Sequence, residues 1–505
     1  MRQNQHKILL IAPPFYRLYK DAHPFNTYLP LSLGYLAGTI EKKTNWKVIV
    51  YYADFYPENG GFSLNYFMEE GYHNYINNLK HLSSPIWREI KSTILEYKPT
   101  VVGISANTQN FLSACAVAKL TKDINRQIIV IVGGPHPSLV GSDVLNCPDL
   151  DVGVSGEGEK TIVELLNAID AKKEFHDIRG ISYRRNGQII ENEPRELIGD
   201  LDSLCFPHEI VPRVLKDYDR YPLNAFGHVL ATRGCPYNCF FCGSHKIWSG
   251  KVRYRSPENV IREIKGLQKI GIDTVRFEDD IFGVTKRYIK DLCNALIAHC
   301  PGIKWDCEMH VKLVDDNTIS LMKRAGCKQI QLGIESGNNE ILRKIGKNIT
   351  IEEALSACKI IRKHNIMLET FFMTGFPQET EKTLKETMAA MKKTKSDFIV
   401  YSVFTPYPGT EAFKVCKENG SISNNYDISL YNHQSPANYF CVNIPREKFR
   451  MLLSKIEKMV DRINYHRRKK NSVLRLCRLQ TFRKVREQGL ANSLQKGVRL
   501  LIGKS

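Results

Sequence analysis

Three cysteines, Cys235, Cys239 and Cys242, fall within eight residues of the segment Thr232-Arg-Gly-Cys-Pro-Tyr-Asn-Cys-Phe-Phe-Cys-Gly243. Thiolates spaced C-x3-C-x2-C on one loop can hold three irons of a single cluster, and Gly234 and Gly243 permit the tight backbone path. Iron–sulfur clusters usually take four protein thiolates, so three leave one iron open to chelate a substrate or cofactor. Zinc is the other metal that clustered thiols suit. Zinc sites, however, normally bring their ligands as two pairs, and no partner His or second Cys pair accompanies this loop. Cysteines such as Cys115, Cys293 and Cys358 stand singly among apolar residues and read as small buried hydrophobes.

Other residues have the chemistry to bind charged or polyhydroxylated groups. Glu278, Asp279 and Asp280 stand together in Phe277-Glu-Asp-Asp-Ile-Phe282, and Glu335 and Ser336 in Gly333-Ile-Glu-Ser-Gly337. Earlier loops are short and glycine-rich. They hold Ser105, Asn107 and Thr108, then Gly133, Gly134 and His136, then Gly156 and Glu157. Backbone N–H groups in such loops can approach a phosphate where a helix follows. A carboxylate at a strand end is often plain solvated surface, so the fixed order of these segments carries more weight than any one of them.

Strands must end beside these residues. Apolar runs at 7–12, 47–52, 101–105, 128–132 and 151–154 read as buried strands, and helical periodicity fits 31–43, 84–97, 111–125 and 161–171. That alternation implies a parallel sheet with helices on both faces and ligands outside the strands' carboxyl ends. A hairpin around Asn186-Gly187 follows, then an irregular stretch to about Asn224. A second alternation places strands at 228–232, 274–278, 304–309, 329–334, 367–373 and 397–404, with helices at 257–270, 286–299, 316–325 and 351–364. Six such repeats suit a partial or full parallel barrel with chemistry at the strand tops. The fold class is therefore α/β. The expected division is 1–198, a linker at 199–226, a barrel at 227–440, and a basic helical region at 441–505.

The cysteine loop, with Phe241 before its third cysteine, resembles the signature of the radical S-adenosylmethionine superfamily, over about residues 228–440. The resemblance implies a 4Fe–4S cluster on Cys235, Cys239 and Cys242. Its open iron would take the amino and carboxylate groups of S-adenosylmethionine, and one electron would cleave the sulfonium to methionine and a 5′-deoxyadenosyl radical. It further implies that Glu278, Asp279 and Asp280 belong to the segment holding the cofactor's amino group. Glu335 or Ser336 would meet its ribose or methionine part. Phe372-Met-Thr-Gly-Phe-Pro377 and Pro406-Tyr-Pro-Gly-Thr410 match the fifth and sixth strand ends.

The first 198 residues resemble Rossmann-like cobalamin-binding domains. In that family a Ser-x-Leu or Ser-x-Thr loop is followed by Gly-Gly; here 25 residues separate Asn107 from Gly133, and Asn107 holds the third position with Thr108 next. The resemblance implies that Ser105, Asn107 and Thr108 lie near the nucleotide-tail base, and that Gly133, Gly134, His136, Gly156 and Glu157 line its path. Pro13-Pro-Phe-Tyr-Arg17 and Pro30-Leu-Ser-Leu-Gly-Tyr-Leu-Ala37 match the same subgroup. The cobalt-ligating Asp-x-His-x-x-Gly has only a near match, Asp21-Ala-His-Pro-Phe-Asn26, so His23 reads as a loop residue and the lower face of cobalt lacks a protein imidazole. A Rossmann-like appendage without cobalamin is the alternative for this domain.

Together the resemblances imply a class B radical methyltransferase that methylates an unactivated carbon. An oxidative cyclase with the same cofactors, like the anaerobic magnesium-protoporphyrin ester cyclase, is the first alternative. An RNA methylthiotransferase is remote, because Cys115 and Cys147 are too few for a second cluster. The implied partners are a small-molecule or lipid substrate and an external one-electron reductant, flavodoxin or ferredoxin.

At 43% hydrophobic and 25% charged residues the chain is globular rather than disordered. No run of about 18 apolar residues exists, and Pro13-Pro14 stop the N-terminal apolar run too early for a signal peptide. A cytoplasmic protein with reduced thiols is expected. Residues 446–505 hold 18 Lys or Arg against 4 acidic residues, so +14 of the formal +19 sits there. Within 473–502, Leu474, Leu479, Phe482 and Val485 alternate with Arg475, Arg478, Arg483 and Arg486. Such a segment is a solvated helix face or a peripheral contact with anionic lipid; nucleic acid is disfavoured without a recognition module.

Overall fold

The computed structural model describes residues 6–21, 29–56, 70–423, 427–428, 435 and 437–476, with side chains as far as Tyr465. His23 and the 477–505 part of the basic segment lie outside the described residues, and of 473–476 only the helical backbone is described.

The first sheet has seven strands: β1 (Lys7–Ala12), β2 (Lys47–Tyr52), β3 (Val101–Ser105), β4 (Ile129–Gly133), β5 (Val152–Val154), β6 (Ile181–Arg185) and β7 (Gln188–Glu191). Their order is β2-β1-β3-β4-β5-β6-β7; the first five run parallel, and β6 and β7 add an antiparallel hairpin. Ile8, Leu9, Val101, Val102 and Val130 are all inaccessible to solvent, as strands covered on both faces require. The carboxyl ends of β3, β4 and β5 thus carry the three glycine-rich loops side by side.

The second sheet takes β8 (His228–Val229), β11 (Thr274–Phe277), β12 (Lys304–Met309), β13 (Cys327–Glu335), β14 (Met367–Thr374) and β15 (Phe398–Val403), all parallel, in the order β15-β14-β13-β12-β11-β8. It is a partial barrel, because β15 and β8 do not pair. Alternation is strict on β12: Trp305, Cys307 and Met309 are buried against the helices, while Asp306 and Glu308 face the other way. On that inner face Arg276 bonds Asp306 at 3.0 Å, Glu308 at 3.2 Å and Gln331 at 2.7 Å. Helix starts are set by local chemistry, with a capping box from Thr350 to Glu353 and an N-cap from Ser256 to Asn259.

Two features depart from the sequence reading. Residues 228–232 do not form one strand: β8 stops at Val229, and Thr232–Arg233 form β9, which pairs antiparallel with β10 (Arg253–Tyr254) outside the barrel. The switch occurs because the Ala231 N–H donates to Asp279 at 2.7 Å instead of to a neighbouring strand. The stretch at 199–226 is also less irregular than expected, since it contains the helix Pro207–Val214. That helix settles on Leu31–Lys43, where Gly34 lies against Pro207 and Gly38 against Cys205 and Ile210. The helix Arg446–Leu476 follows as expected and packs through Phe449, Leu452 and Leu453 onto Leu384 and Val403. Among the described residues no helix is long and apolar enough to cross a membrane.

Candidate active site

The cysteine loop leaves β9 through Gly234, whose φ of +110° and contact with the Lys251 carbonyl exclude a side chain. Phe240 N–H then donates to Ile345 O at 2.9 Å, Ala412 N–H to Phe240 O at 3.0 Å, and Cys242 N–H to Cys239 O at 3.0 Å. The loop is therefore pinned to the tops of the fourth and sixth barrel strands. Cys235 and Cys239 are half-buried, Cys242 is exposed, and no disulfide joins the described cysteines. Burial pushes the Cys235 and Cys239 thiols up to about 11, with the Lys347 ammonium opposing it at Cys239. Three thiols on one loop, two of them half-buried and none in a disulfide, each available to exchange its proton for iron, form a donor set that fits a cluster. Phe241 packs near Phe376, with ring centroids 6.0 Å apart.

The acidic segment after β11 divides its work. Glu278 lies 2.7 Å from His228 Nδ1 and 3.0 Å from Arg276 Nε; burial alone would raise its carboxyl, but the hydrogen bond to His228 and the Arg276 guanidinium bring it below the ordinary value. Asp280 takes the hydroxyl of Ser244, beside the loop, at 2.8 Å. Asp279 is buried and accepts from Ala231 N–H and, at 3.0 Å, from the Thr232 hydroxyl; burial pushes it up to about 7. Asp279 thus buttresses the strand that leads into the cysteines. Glu335, at φ +69° on a register shift between β13 and β14, pairs with Lys347 at 2.9 Å. Burial would lower the Lys347 ammonium, but Glu335 and then Cys239 raise it above an ordinary lysine. Ser336 is fully buried against Thr387 at 3.3 Å.

Between the two sheets lies a cavity of about 600 Å³. Ser105, Asn107, Thr108, Gly133, Gly134 and Gly156 line one side of it, and Gly243, Ser244, Glu278 and Asp280 the other. At Gly156, φ +80°, an added Cβ would meet nothing within 4 Å, so the backbone there is bare toward open space. Gly134, at φ +107°, lies close against Ala106 and leaves no room for a side chain. A cradle of this kind fits a large ligand tail lying against the main chain. His136 stands behind the wall, buried, with Nδ1 3.1 Å from the Thr108 hydroxyl and its pKa lowered to about 4 by burial. Glu157 borders the cavity but is engaged by Arg233 and Arg253. The two sides are tied together by Gln109 Nε2 donating to Tyr407 Oη at 3.0 Å and Lys246 Nζ to Leu139 O at 2.7 Å.

Comparison with known proteins agrees with this geometry. The profile described as B12 binding domain matches residues 23–166, and that described as Radical SAM superfamily matches residues 229–391. An uncharacterized methyltransferase of Pyrococcus horikoshii, PH0819, is 32% identical over 82% of this chain and 83% of its own. The chain belongs to the cobalamin-dependent radical S-adenosylmethionine enzymes. The anaerobic magnesium-protoporphyrin IX monomethyl ester cyclase of Rubrivivax gelatinosus is 28% identical over 69% of this chain and 63% of its own. The radical methyltransferase TsrM from Kitasatospora setae, solved with cobalamin and a [4Fe-4S] cluster, shares the fold at a TM-score of 0.69. It is 17% identical, with 92% of this chain and 90% of that one covered.

The cofactors of this radical SAM enzyme are accordingly the 4Fe–4S cluster, S-adenosylmethionine and cobalamin, and it requires an external one-electron reductant. The end of the cysteine loop at Gly243 and Ser244 and the glycine-rich loops meet at one cavity, whereas His136, Asp279 and Ser336 sit behind the walls as supports. Arg233 and Tyr407, which belong to the segments Thr232–Gly243 and Pro406–Thr410 without being singled out there, line the same cavity. Lys347 lies nearby against Glu335, and its local hint is the turn Ile345-Gly-Lys347, where Gly346 takes φ +69° against Asn238.

Proposed function

We propose that this enzyme methylates an unactivated carbon of a small molecule. The observation that carries the reading is that Gly133, Gly134 and the bare Gly156, together with the end of the cysteine loop at Gly243 and Ser244, open into one cavity. A methyl carrier and a radical source would then share a single space. When bound, the cluster supplies the electron that cleaves S-adenosylmethionine and cobalamin carries the methyl group, chemistry that side chains cannot do. The chain's own residues bind, orient and exclude water. Glu278, held ionised by His228 and Arg276, suits the amino group of S-adenosylmethionine. Glu335 and Lys347 offer one acceptor and one cation for its ribose and carboxylate. The interface between the sheets, closed by Gln109–Tyr407 and Lys246–Leu139, keeps water from a radical.

Anaerobic incubation with methyl-labelled S-adenosylmethionine and candidate extracts tests this. The expected result is 5′-deoxyadenosine together with a product heavier by one labelled methyl. Likeness to the cyclase favours a second outcome for the same radical, an oxidised or cyclised product without label. The basic excess in residues 446–505 supports contact with anionic lipid. Equal liposome flotation of the full chain and one ending near Arg446 would remove that part.

A further inference from the structure

Arg233 occupies an unusual place, one residue before Gly234-Cys235 and in direct contact with the loop that follows β5. Its Nη1 lies 2.7 Å from Glu157 Oε1, and its Nη2 lies 2.7 Å from Glu159 Oε1. Glu157 uses its second oxygen on Arg253 Nη1 at 2.6 Å and on the Ile198 N–H at 2.6 Å. Arg253 stands opposite Arg233 in the β9–β10 pair. The side chains of Glu157 and Glu159 are 3% and 8% exposed, and those of Arg233 and Arg253 are 10% and 11%. Glu157 precedes the helix Gly158–Asp170, but its carboxylate does not cap that helix. It reaches across to the barrel instead. Two carboxylates and two guanidiniums thus form a neutral, buried knot with both domains' functional loops attached.

The knot also borders the cavity. Gly156, Glu157, Gly158 and Glu159 line it from one domain, and Thr232, Arg233 and Trp248 from the other. The Arg233 guanidinium lies 5.1 Å from the Tyr35 ring centroid, and that of Arg253 5.3 Å from the Trp248 ring centroid. Anything seated on Gly156 therefore presses on the backbone whose next carboxylate holds the strand entering the cluster loop. Breaking one partner away from a buried ion pair strands a charge, so the bonds from Arg233 to Glu157 and Glu159 carry movement on one side to the other, although Nε and Nη2 of Arg253 have no hydrogen-bond partner among the described residues.

We infer that Arg233 is a positioning residue that couples cobalamin binding in the cavity to S-adenosylmethionine binding at the cluster loop, through its two bonds to Glu157 and Glu159. The inference rests on the cofactor assignment above and adds an energetic link between the two sites. Coupling between two bound ligands is reciprocal, and links of this kind are commonly about tenfold.

The test uses the full chain with its cluster reconstituted anaerobically. Hydroxocobalamin affinity is measured by ultrafiltration with and without S-adenosylmethionine, and S-adenosylmethionine affinity by its effect on the reduced-cluster EPR signal with and without cobalamin. In the wild type each ligand should tighten the other by about tenfold, with the same factor in both directions. Arg233→Lys keeps the charge but loses the fork to two carboxylates, and should bring that factor below about twofold while each ligand still binds alone. A purely structural knot would weaken folding or both affinities alike and leave the factor unchanged. If Arg233→Lys does not fold, Glu159→Gln, which leaves the Glu157 bond in place, should give an intermediate factor. A wild-type factor of one, or an unchanged factor in the folded variant, overturns the inference. Failure of the wild type to bind cobalamin at all would instead overturn the cofactor assignment.

Discussion

Lys347 Nζ sits 2.9 Å from Glu335 Oε1, with both side chains only 11% exposed, directly behind Cys239. The carboxylate belongs to a residue at φ +69°, a conformation that a non-glycine side chain keeps only where its surroundings hold it. The ammonium does that holding and lies within electrostatic reach of Cys239 and Cys242. Replacing it leaves a buried carboxylate without its cation, which typically costs about 3–5 kcal/mol. Lys347→Met should lower the stability of the iron-free protein by roughly that amount in urea unfolding. Adding Glu335→Gln should recover part of the loss, because the uncompensated charge is gone. Strictly additive losses in the double variant would show that the pair does not act as one.

Glu379 gives a pH signature. Its Oε2 accepts the N–H groups of Gly375 at 2.5 Å and Phe376 at 3.1 Å, while Oε1 has no partner among the described residues. Burial raises this carboxyl to about 8 from an ordinary 4.5. The folded state thus holds a proton that the unfolded chain releases. The associated stability is complete below about pH 4.5 and is lost as pH rises to about 8, beyond which the dependence levels off. Glu379→Gln cannot titrate. Relative to it, the wild type should lose on the order of 4 kcal/mol across that window, read from unfolding at several pH values. A pH-independent difference between the two proteins would contradict the buried proton.

The parts legible in the sequence were those encoded locally. Cys235, Cys239 and Cys242 stand out because three thiols share one short loop, which the structure keeps together, and strands such as Lys304–Met309 show their alternation directly. Pairings between distant segments were not legible. Arg233 meets Glu157 and Glu159 across 76 and 74 residues, and nothing near any of them marks the partner. Residues 228–232 read as one strand because their apolar character is continuous, yet Asp279, 48 residues further on, takes the Ala231 N–H and breaks the ladder. The helix Pro207–Val214 was hidden by its own Pro207 and Pro212, and it exists because Gly34 and Gly38 open a groove for it. His136 stood beside the two glycines in the sequence, but the first turn of the helix Pro135–Val140 directs it behind the wall.

Gly156 tests the cradle without touching the cluster. Its φ of +80° costs a side chain roughly 1–2 kcal/mol, and an added Cβ meets no protein atom within 4 Å. Gly156→Val should therefore fold, with modest destabilisation, and project two methyls into the cavity. Cobalamin uptake, followed by absorbance after gel filtration, should fall at least tenfold, while iron and sulfide content stays at the wild-type level. Undiminished uptake would mean that the tail does not lie against this loop.

Asn464 closes the edge that the partial barrel leaves open. Its Oδ1 accepts the Ile399 N–H at 2.9 Å and its Nδ2 donates to the Ile399 carbonyl at 2.9 Å, so a side chain from the C-terminal helix supplies the two bonds that a strand beside β15 would have made. Asn464 is buried, and water cannot readily replace it. Asn464→Ala strands a buried donor and a buried acceptor, an expected loss of about 2–4 kcal/mol. Asn464→Asp retains an acceptor for the Ile399 N–H but opposes the carbonyl with a second negative oxygen, and should be no better than alanine. Exposure of a long edge strand also invites pairing between chains, so both variants should aggregate at temperatures where the wild type stays monodisperse by light scattering. If alanine at 464 changes neither stability nor aggregation, the helix is held to the barrel by Phe449, Leu452 and Leu453 alone, and the edge needs no cap.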